Sequence, residues 1–339
     1  MMNFIIDSGA FSAWRLGKPI NLVEYCDWLL ANREWITSHV ALDVINPNDP
    51  EAAAAEGCKN LEYMLGRGLE PIMVFHVGED IKYLHRMLDM GCKYIGLAAL
   101  SADTQEAAAA WYDYAWSHLV DRHGDPVVKV HAFGDGKLAN MLRFPWYSAD
   151  SSSWMQTAAR GGSLTINGRA KVSMRHDGLD RKGSPEIRGL KGADSDAFAS
   201  FLRRHKVKPE ALEVLGPRAY VVRIYLEALQ WKATQATVRA AQPIRYRGSG
   251  FFSGMSKRPP IEAEPFNLHL ASSGNKNAYV ALAMANHPNM LESYFYIRTA
   301  NKTSALGFLP EYQQDPRGAC ISSMHFADMW NRLKDSIYE

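Results

Sequence analysis

The first 150 residues of the chain alternate between short apolar runs and longer segments that carry apolar residues at a helical period. Such alternation, at about 25–35 residues per unit, predicts right-handed βαβ repeats and a parallel sheet. The six predicted strands are Phe4–Asp7, Val40–Val44, Ile72–Phe75, Tyr94–Ala98, Val127–Phe133 and Trp146–Asp150.

Amphipathic helices are predicted between these strands. Asn48 and Asp49 followed by Pro50 form a helix start, because an N-cap residue followed by proline favours the first helical turn. The predicted helices are Leu22–Trp35, Pro50–Arg67, Asp80–Met90, Thr104–His123 and Lys137–Leu142.

The pattern changes after residue 160. The segment Gly161–Val172 predicts a hairpin with Asn167-Gly168 as its turn, and residues 173–195 and 243–265 have the composition of loops. The helices predicted in this part of the chain are Asp196–Lys206, Lys208–Leu215 and Tyr220–Ala240.

One more βαβ unit is predicted near the C-terminus. It consists of strands Phe266–Leu270 and Tyr294–Ile297 with the helical stretch Lys276–Asn286 between them. Six strands and these two make eight, so we expect the late unit to close a barrel beside the N-terminal strand. The helix predicted over Ser322–Ile337 would pack outside it.

Six early strands are compatible with an open, doubly wound sheet or with most of a barrel. Polar residues at or near the C-terminal ends of predicted strands favour the barrel, since a barrel enzyme builds its chemistry on that rim. The first strand is not followed by G-x-G-x-x-G, so a dinucleotide site is unsupported. These rim residues are Asp7, Asp43, His76, His131 and Asp150.

The predicted architecture is therefore an α/β fold, a (β/α)8 TIM-like barrel with an inserted basic region. We divide the chain into residues 1–160 with six βα units and the rim residues, residues 161–262 with the basic hairpin, loop and helical insertion, and residues 263–339 with the closing unit and C-terminal helix.

Composition excludes several classes of protein. With 47% hydrophobic and 22% charged residues among 339, the chain is neither disordered nor fibrous. Its apolar stretches are shorter than the ~18 residues of a membrane span, and its N-terminus lacks the basic region of a signal peptide. We therefore expect a cytoplasmic protein, in the host cytoplasm if it is phage-encoded, with no membrane partner. The four cysteines, Cys26, Cys58, Cys92 and Cys320, lie far apart and are expected to be buried apolar residues.

Charge is unevenly distributed. Residues 1–150 hold 12 lysines and arginines and 20 acidic residues, whereas the remainder holds 26 and 16. A basic half is typical of a polyanion-binding surface, and equally of an ordinary solvated surface. The candidate contacts to nucleic acid are Arg160, Lys171, Arg175, Arg181, Lys182, Arg203, Arg204, Lys206, Arg245, Arg247, Lys257 and Arg258.

The three rim carboxylates suggest acid–base work. Asp7 precedes a small-residue turn and Phe11, a pairing suited to a flat heterocycle, although Asp7 could equally cap its own turn. Asp150 lies among small polar residues and would be open to reaction. Carboxylates that share a rim repel one another, which separates a proton donor from a nucleophile. Paired acids are the usual means of breaking a glycosidic bond, but their spacing alone indicates only acid–base chemistry.

An ordered series of motifs resembles the tRNA-guanine transglycosylase superfamily over residues ~4–170. The motifs are DSGAF at 7–11, ALD at 41–43, VFHVG at 74–78, YIGLAAL at 94–100, VHAFGDG at 130–136 and SADSSSW at 148–154. The resemblance implies a barrel enzyme that exchanges guanine in a nucleic acid through a covalent aspartyl intermediate.

The resemblance implies roles for individual residues. Asp150 matches the nucleophile and Asp7 the acid that handles the base and proton transfer. Phe11 matches the ring that stacks on the base, Ser8 of the same motif joins the substrate-binding set, and Asp43 matches the acid that reads the guanine edge.

The resemblance also implies roles for residues on three further predicted strands. His76 stands where the family usually has glutamine, and His131 stands where it has an apolar lid residue. Gly96 and Leu97 match backbone that contacts the 7-substituent side of the base. We expect His76 and His131 to line the pocket.

Two departures from the family matter. The zinc subdomain that follows the nucleophile in the tRNA enzymes is absent, and two strands that precede the D-S-G motif there are missing here. The late unit could replace those strands, which would make the barrel a circular permutation. Without the zinc subdomain the chain is most similar to phage-type enzymes that insert 7-deazaguanine into DNA. This implies DNA and a free 7-deazaguanine base as partners, the 7-cyano form first, no metal or other cofactor, and a possible homodimer.

Three alternatives stay open. The polymer could be tRNA, with the same chemistry. The chain could instead be a barrel nucleoside hydrolase or glycosidase acting on a small substrate, which would leave its basic half unexplained. It could also be a nucleic-acid-binding protein on a barrel that has lost its activity.

Overall fold

The computed structural model of the chain describes residues 3–34, 36–46, 48–99, 104–159, 163–166, 170–173, 191–204, 217–248, 256–272 and 294–298. The predicted helices Lys208–Leu215, Lys276–Asn286 and Ser322–Ile337 and the predicted turn Asn167-Gly168 lie outside these ranges, so they stay predictions.

The protein is a mixed α/β structure built on a parallel sheet of eight strands. A separate antiparallel hairpin lies between the sixth and the last two of them in sequence. The sheet strands are β1 (Asn3–Asp7), β2 (Ser38–His39), β3 (Met73–His76), β4 (Tyr94–Ala98), β5 (Lys129–Phe133), β6 (Ser148–Ser151), β9 (Asn267–Ser272) and β10 (Tyr294–Arg298), and the hairpin strands are β7 (Ser163–Ile166) and β8 (Ala170–Ser173).

The helices of the described ranges connect these strands. They are α1 (Ala10–Leu16), α2 (Leu22–Ala31), α3 (Pro50–Gly66), α4 (Ile81–Asp89), α5 (Gln105–Ser117), α6 (Leu138–Arg143), α7 (Ser153–Ala159), α8 (Gly192–Arg204) and α9 (Pro217–Ala240). Asp49 caps α3 as predicted, since its side chain accepts the Ala52 N–H at 3.0 Å.

The strand order is β2-β1-β10-β9-β6-β5-β4-β3, with every neighbouring pair parallel. The late strands thus stand where the sequence predicted them, beside the N-terminal strand. β10 pairs with β1, with Asp7 opposite Arg298, and β9 pairs with β6, with Asp150 opposite His269.

The two strands at the ends of this order are also joined to each other. Val40, directly after β2, forms a parallel bridge with Ile72, directly before β3. The Ala41 N–H donates to the Ile72 carbonyl at 2.9 Å, and the Ile72 N–H donates to the His39 carbonyl at 2.7 Å.

Both faces of the sheet are buried, as is usual for parallel sheets. Alternate residues such as Ile6, Phe75 and Leu97 belong to the large core that packs against the helices. The residues between them form a second apolar cluster on the opposite face. This second cluster contains Ile5, Val40, Ile72, Val74, Tyr94, Ala98 and Phe133.

The segment inserted between β6 and β9 returns the chain to the start of β9. Near the beginning of α9, Arg223 Nε donates to the carbonyl of Ala158 in α7 at 2.9 Å. Near the end of α9, Arg239 Nε donates to the Phe266 carbonyl at 2.7 Å and Arg239 Nη2 to Asn267 Oδ1 at 3.0 Å. Helix α9 therefore runs from the C-terminal end of β6 to the N-terminal end of β9.

Some predicted boundaries were wrong for local reasons. Strand β2 is shorter and earlier than Val40–Val44, because the Asp43 N–H turns back to the Ala41 carbonyl at 2.9 Å. Helix α2 ends at Ala31 because the Asn32 side-chain amide donates to the Trp28 carbonyl at 2.7 Å. Helices α1 and α7 were missed, since seven residues are too few to display a helical period.

Cys26, Cys58 and Cys92 are free and buried, as expected, and Cys320 lies outside the described residues. In the part of the chain that the structure describes, none of the helices has both the length and the apolar composition needed to cross a bilayer.

Candidate active site

The structure brings the predicted rim residues to one edge of the sheet. Asp7 is the last residue of β1 and His76 the last of β3, while Asp150 is the penultimate residue of β6. Asp43 follows β2 by four residues. Because all strands are parallel, these positions share the C-terminal edge, where α/β enzymes bind their ligands.

Asp43 and His76 form an ion pair across the two end strands. His76 Nε2 lies 3.1 Å from Asp43 Oδ2, and His76 Nδ1 lies 2.9 Å from Glu79 Oε1. The His76 backbone N–H also donates to Glu79 Oε2 at 3.1 Å. Both ring nitrogens therefore face carboxylates, which accept and cannot donate when ionised.

The charge of His76 follows from these two acids. Burial lowers the pKa of the ring, but hydrogen bonds to Asp43 and Glu79 and the negative charge of both raise it, and the net pKa is about 10. His76 is thus an imidazolium at neutral pH, held between two carboxylates. This fixes the orientation of Asp43.

The turn after β1 ties Asp7 to the same group. Ser8 Oγ donates to Asp43 Oδ1 at 3.2 Å, and the Gly9 N–H donates to Asp7 Oδ1 at 3.3 Å. Burial and then the nearby carboxylates of Asp7 and Asp43 raise the pKa of Tyr25 well above its usual range, so both acids lie close to this phenol. Asp7, Ser8, Asp43 and His76 form one group, which we call the Asp43 group.

Asp150 lies in a second group on β5 and β6. Its Oδ1 accepts the Gly134 N–H at 2.8 Å and lies 3.2 Å from His131 Nε2. The side chain is 7% exposed. Both hydrogen bonds go to Oδ1, and among the described residues none goes to Oδ2. One oxygen is therefore anchored and the other is available to a ligand.

A buried hydrogen-bond chain continues behind His131. His131 Nδ1 bonds Ser148 Oγ, which also bonds the Tyr94 hydroxyl. An ionised Asp150 can only accept, so His131 Nε2 carries the proton, and in the neutral ring Nδ1 accepts from Ser148. His131 was expected to line the pocket; the structure shows it fully buried, with Nε2 against Asp150 Oδ1, where it orients that carboxylate.

His269, opposite Asp150 on β9, is also buried. Burial, and then the neighbouring His131 ring at 5.9 Å between centroids, lower the pKa of His269 well below its usual range. His269 is therefore neutral and adds no positive charge beside Asp150.

Gly96 and Leu97 differ in what they offer a ligand. The Leu97 side chain is buried in the core between the sheet and the helices, so Leu97 can offer a ligand on the opposite face of the sheet only its backbone. A Cβ on Gly96 would lie 2.1 Å from Phe133 Cε2, so the Phe133 ring occupies the space over this glycine. The same ring contacts His131, with centroids 4.4 Å apart.

Phe11 lies on α1, the short helix that follows the Asp43 group. Its ring is 44% exposed, and the neighbouring Trp14 is 46% exposed. The Arg15 guanidinium lies 5.9 Å from the centroid of the Phe11 ring. This aromatic surface is open to a ligand at the rim.

The predicted nucleic-acid contacts fall into two sets. Arg203 and Arg204 are exposed at the end of α8, in the insertion that follows the C-terminal end of β6. Lys171 lies on β8 of the same insertion. Arg160, Arg175, Arg181, Lys182 and Lys206 lie outside the described residues.

The remaining cations lie at the other edge. Arg245 pairs with Asp125 at 2.9 Å, before β5, and Arg258 pairs with Asp89 at 2.8 Å, before β4. Arg247 and Lys257 lie in the same segment and are exposed. These four were expected to grip the same nucleic acid as the insertion, but the structure places them at the N-terminal edge of the sheet, away from the acids.

A cavity of about 530 Å³ also opens at this N-terminal edge, where Ser38, Pro71 and Lys93 are among its lining residues. It contains none of the rim acids. Lys93 forms an ion pair with Glu70 at 2.6 Å. Within the described ranges, no three His, Cys, Asp or Glu side chains are grouped so that they could hold a metal ion.

Four residues of the site were not predicted: Tyr94, Ser148, Gly134 and Glu79. Glu79 could have been suggested by its spacing, since it lies three residues after His76 in the turn that ends β3. Ser148 and Tyr94 could have been suggested by strand alternation, because Ser148 lies two residues before Asp150 on the same face.

A scan of the chain against models of protein families finds no match, and a search of curated proteins finds none either.

Proposed function

We propose that the eight strands close into a (β/α)8 barrel and that the chain is a DNA-guanine transglycosylase with Asp150 as nucleophile. Closure is supported by the Val40–Ile72 bridge, which joins the two ends of the strand order. It is supported again by the 3.1 Å contact between Asp43 and His76, which come from those same two ends.

Closure matters for the chemistry because of distance. β1 and β6 are separated by β10 and β9 in the strand order, so in a flat sheet Asp7 and Asp150 would be about 14 Å apart at the usual strand spacing. In a barrel the same side chains point inward and converge on one substrate. The second apolar cluster, on the face away from the helices, is the lower part of that interior.

The observation that carries the proposal is the asymmetric environment of Asp150. Oδ1 is held by Gly134 and His131, and Oδ2 accepts no hydrogen bond from the described residues. A carboxylate held by one oxygen, at the C-terminal end of a strand and largely out of water, is arranged as a nucleophile. Its hydrogen-bond chain to Ser148 and Tyr94 keeps it in place.

In the first half of the reaction, Asp150 Oδ2 attacks C1′ of the flipped-out nucleotide and the C1′–N9 bond breaks. Asp7 delivers a proton to the departing guanine. In the second half, a 7-deazaguanine gives its N9 proton to Asp7, and N9 attacks C1′ as the ester bond to Asp150 breaks. Two inversions at C1′ retain the configuration, and Asp150 is regenerated.

The Asp43 group recognises the base. Asp43 is oriented by His76 and Ser8, and a fixed carboxylate accepts hydrogen bonds from the N1–H and amino group of guanine. Adenine has neither a donor at N1 nor an amino group beside it, so it would leave the Asp43 carboxylate without hydrogen bonds from the base, which disfavours adenine. Guanine and 7-deazaguanine share this edge, so one pocket serves both the leaving and the entering base.

Label incorporation tests this function. The protein is incubated with radiolabelled guanine or 7-cyano-7-deazaguanine and, in parallel, DNA, unmodified tRNA or free guanosine. We expect label in DNA alone. Label in tRNA would move the proposal to the tRNA enzymes, and release of guanine from free guanosine with no label in either polymer would favour a nucleoside hydrolase. No reaction with any substrate would contradict the proposal.

A further inference from the structure

Helix α1 presents two aromatic rings to solvent at the rim. Phe11 is 44% and Trp14 is 46% exposed, and their ring centroids are 5.8 Å apart at an interplanar angle of 44°. Adjacent exposed apolar side chains mark binding surfaces, and aromatic rings contribute most of the contact area there. Leu16, at 67% exposure, extends the apolar surface at the end of the helix.

This surface is rigidly joined to the acids. Only Ser8 and Gly9 separate α1 from Asp7, and both bond back to acids of the site, Ser8 to Asp43 and Gly9 to Asp7. The Ala10 N–H also donates to Ser8 Oγ at 3.3 Å. The rings are therefore held at a fixed offset from the reaction site, as a substrate-positioning surface requires.

Two cations lie on or next to the helix that carries the rings. Arg15 lies over the Phe11 ring and Lys18 is exposed just beyond the helix, and residues 8–20 contain no aspartate or glutamate. Aromatic faces beside cations are the arrangement that proteins use to bind unpaired nucleotides. Each base stacks on a ring while the cations contact the phosphates.

We propose that Phe11 and Trp14 form a stacking platform for an unpaired base next to the exchanged guanine, so that the enzyme binds single-stranded or locally opened DNA. This role for Phe11 differs from the one that the resemblance implies, in which the ring stacks on the exchanged base itself. The proposal rests on the proposed function. It assigns to Trp14 the binding of a base. When the target guanine leaves the stack, the neighbouring base loses a stacking partner, and the platform replaces that partner.

The chain offers a matched control on α3. Tyr63 is 38% exposed and has the Arg67 guanidinium 5.8 Å from its ring centroid, which closely mimics the Phe11–Arg15 pair. Tyr63 lies on a helix that precedes β3 and is not part of the site. A loss specific to the platform must therefore appear in Trp14→Ala and not in Tyr63→Ala.

The test measures the Kd of a fluorescein-labelled single-stranded oligonucleotide with one guanine, by anisotropy, with guanine exchange measured on the same strand. We expect Trp14→Ala to weaken binding about 5- to 100-fold, the effect of losing one stacked base. Trp14→Phe should keep most of the affinity and Tyr63→Ala all of it. An abasic site beside the guanine should weaken the wild type and leave Trp14→Ala unaffected, if ring and base contact each other.

The outcomes separate the platform from the function. If the wild type exchanges guanine but Trp14→Ala binds as tightly as the wild type, the platform is wrong and the function stands. An equal loss in Tyr63→Ala would also overturn the platform. If the wild type neither binds nor exchanges, the proposed function fails and the platform fails with it. Duplex bound more tightly than the single strand, with exchange intact, would overturn the preference for unpaired bases.

Discussion

Asp43 Oδ2 and His76 Nε2 lie 3.1 Å apart, although their strands stand at opposite ends of the strand order. The contact joins the two ends of the sheet at the same edge that carries Asp7 and Asp150. It also makes one half of the site depend on a charged histidine. The proposed barrel and the proposed base recognition therefore share one ion pair, and each can be tested through it.

The pH dependence of stability tests the charge of His76. Its pKa is about 10 in the folded protein and about 6.5 in an unfolded chain. The stabilisation is then fully present below pH 6.5 and is lost as the pH rises through 10, by an amount on the order of 5 kcal/mol. Urea unfolding from pH 6 to 10 should show this loss in the wild type and a flatter curve in His76→Gln. His123→Gln, at an exposed position, should follow the wild type; equal slopes in all three proteins would refute the ion pair.

His131 is expected to act through Asp150. His131→Ala removes a hydrogen bond from Oδ1 and leaves Ser148 and Tyr94 in a shortened buried chain. Misplacement of a nucleophile by a fraction of an ångström reduces kcat on the order of 10- to 100-fold. Steady-state kinetics should show that loss in kcat with little change in KM for DNA, and Ser148→Ala should show a smaller loss in the same direction. A rise in KM alone would instead indicate that His131 contacts the substrate.

Gly96 is predicted to tolerate no side chain. A Cβ there would lie 2.1 Å from Phe133 Cε2, so Gly96→Ala must displace the ring that packs on His131 and should lower the free energy of unfolding by about 1–3 kcal/mol. Gly66→Ala is the control, since its Cβ would meet nothing within 4 Å. Phe133→Ala combined with Gly96→Ala should be less destabilised than the two single losses added together. Strict additivity would mean that the two residues do not contact each other.

The two sets of cations should differ in their effect on DNA binding. Arg203 and Arg204 are exposed at the end of α8, in the insertion that follows β6, whereas Arg245 and Arg258 are paired with acids at the N-terminal edge of the sheet. Arg203→Ala/Arg204→Ala should weaken binding and reduce the slope of log K against log salt by about 1–2. Arg245→Ala/Arg258→Ala should leave the slope unchanged. The reverse result would place the DNA at the N-terminal edge and separate it from Asp150.

Much of the fold could be predicted from sequence because parallel strands buried on both faces are continuous apolar runs. β1, β4, β9 and β10 were found within two residues of their observed ends. The late strands could be assigned to the sheet by counting, since the predicted (β/α)8 barrel requires eight strands and the first 150 residues supply six. The ends of β2 could not be predicted. They depend on a backbone turn at Asp43 that residue propensities do not indicate.

The acidic residues of the candidate site could be predicted from the sequence, but most of their hydrogen-bond partners could not. Strand ends reveal Asp7, His76 and Asp150, because a polar residue that ends an apolar run needs a reason to be there. The contact between His131 and Asp150 depends on the register of β5 against β6, which the sequence does not encode locally. The sequence shows that the first 150 residues are acidic and the remainder basic. It does not show which cations are paired with acids, because such pairs join distant segments, as Arg258 and Asp89 do.

The most direct test of the central claim is a covalent complex that depends on Asp150. DNA with a labelled strand is mixed with the protein without an incoming base, quenched in denaturant and run on a denaturing gel, and the exchange rate is measured in parallel. The wild type should give a slow band that free guanine removes, and Asp150→Asn should give neither band nor exchange. Exchange at the wild-type rate in Asp150→Asn, or a band of equal intensity, would contradict the assignment of Asp150 as nucleophile.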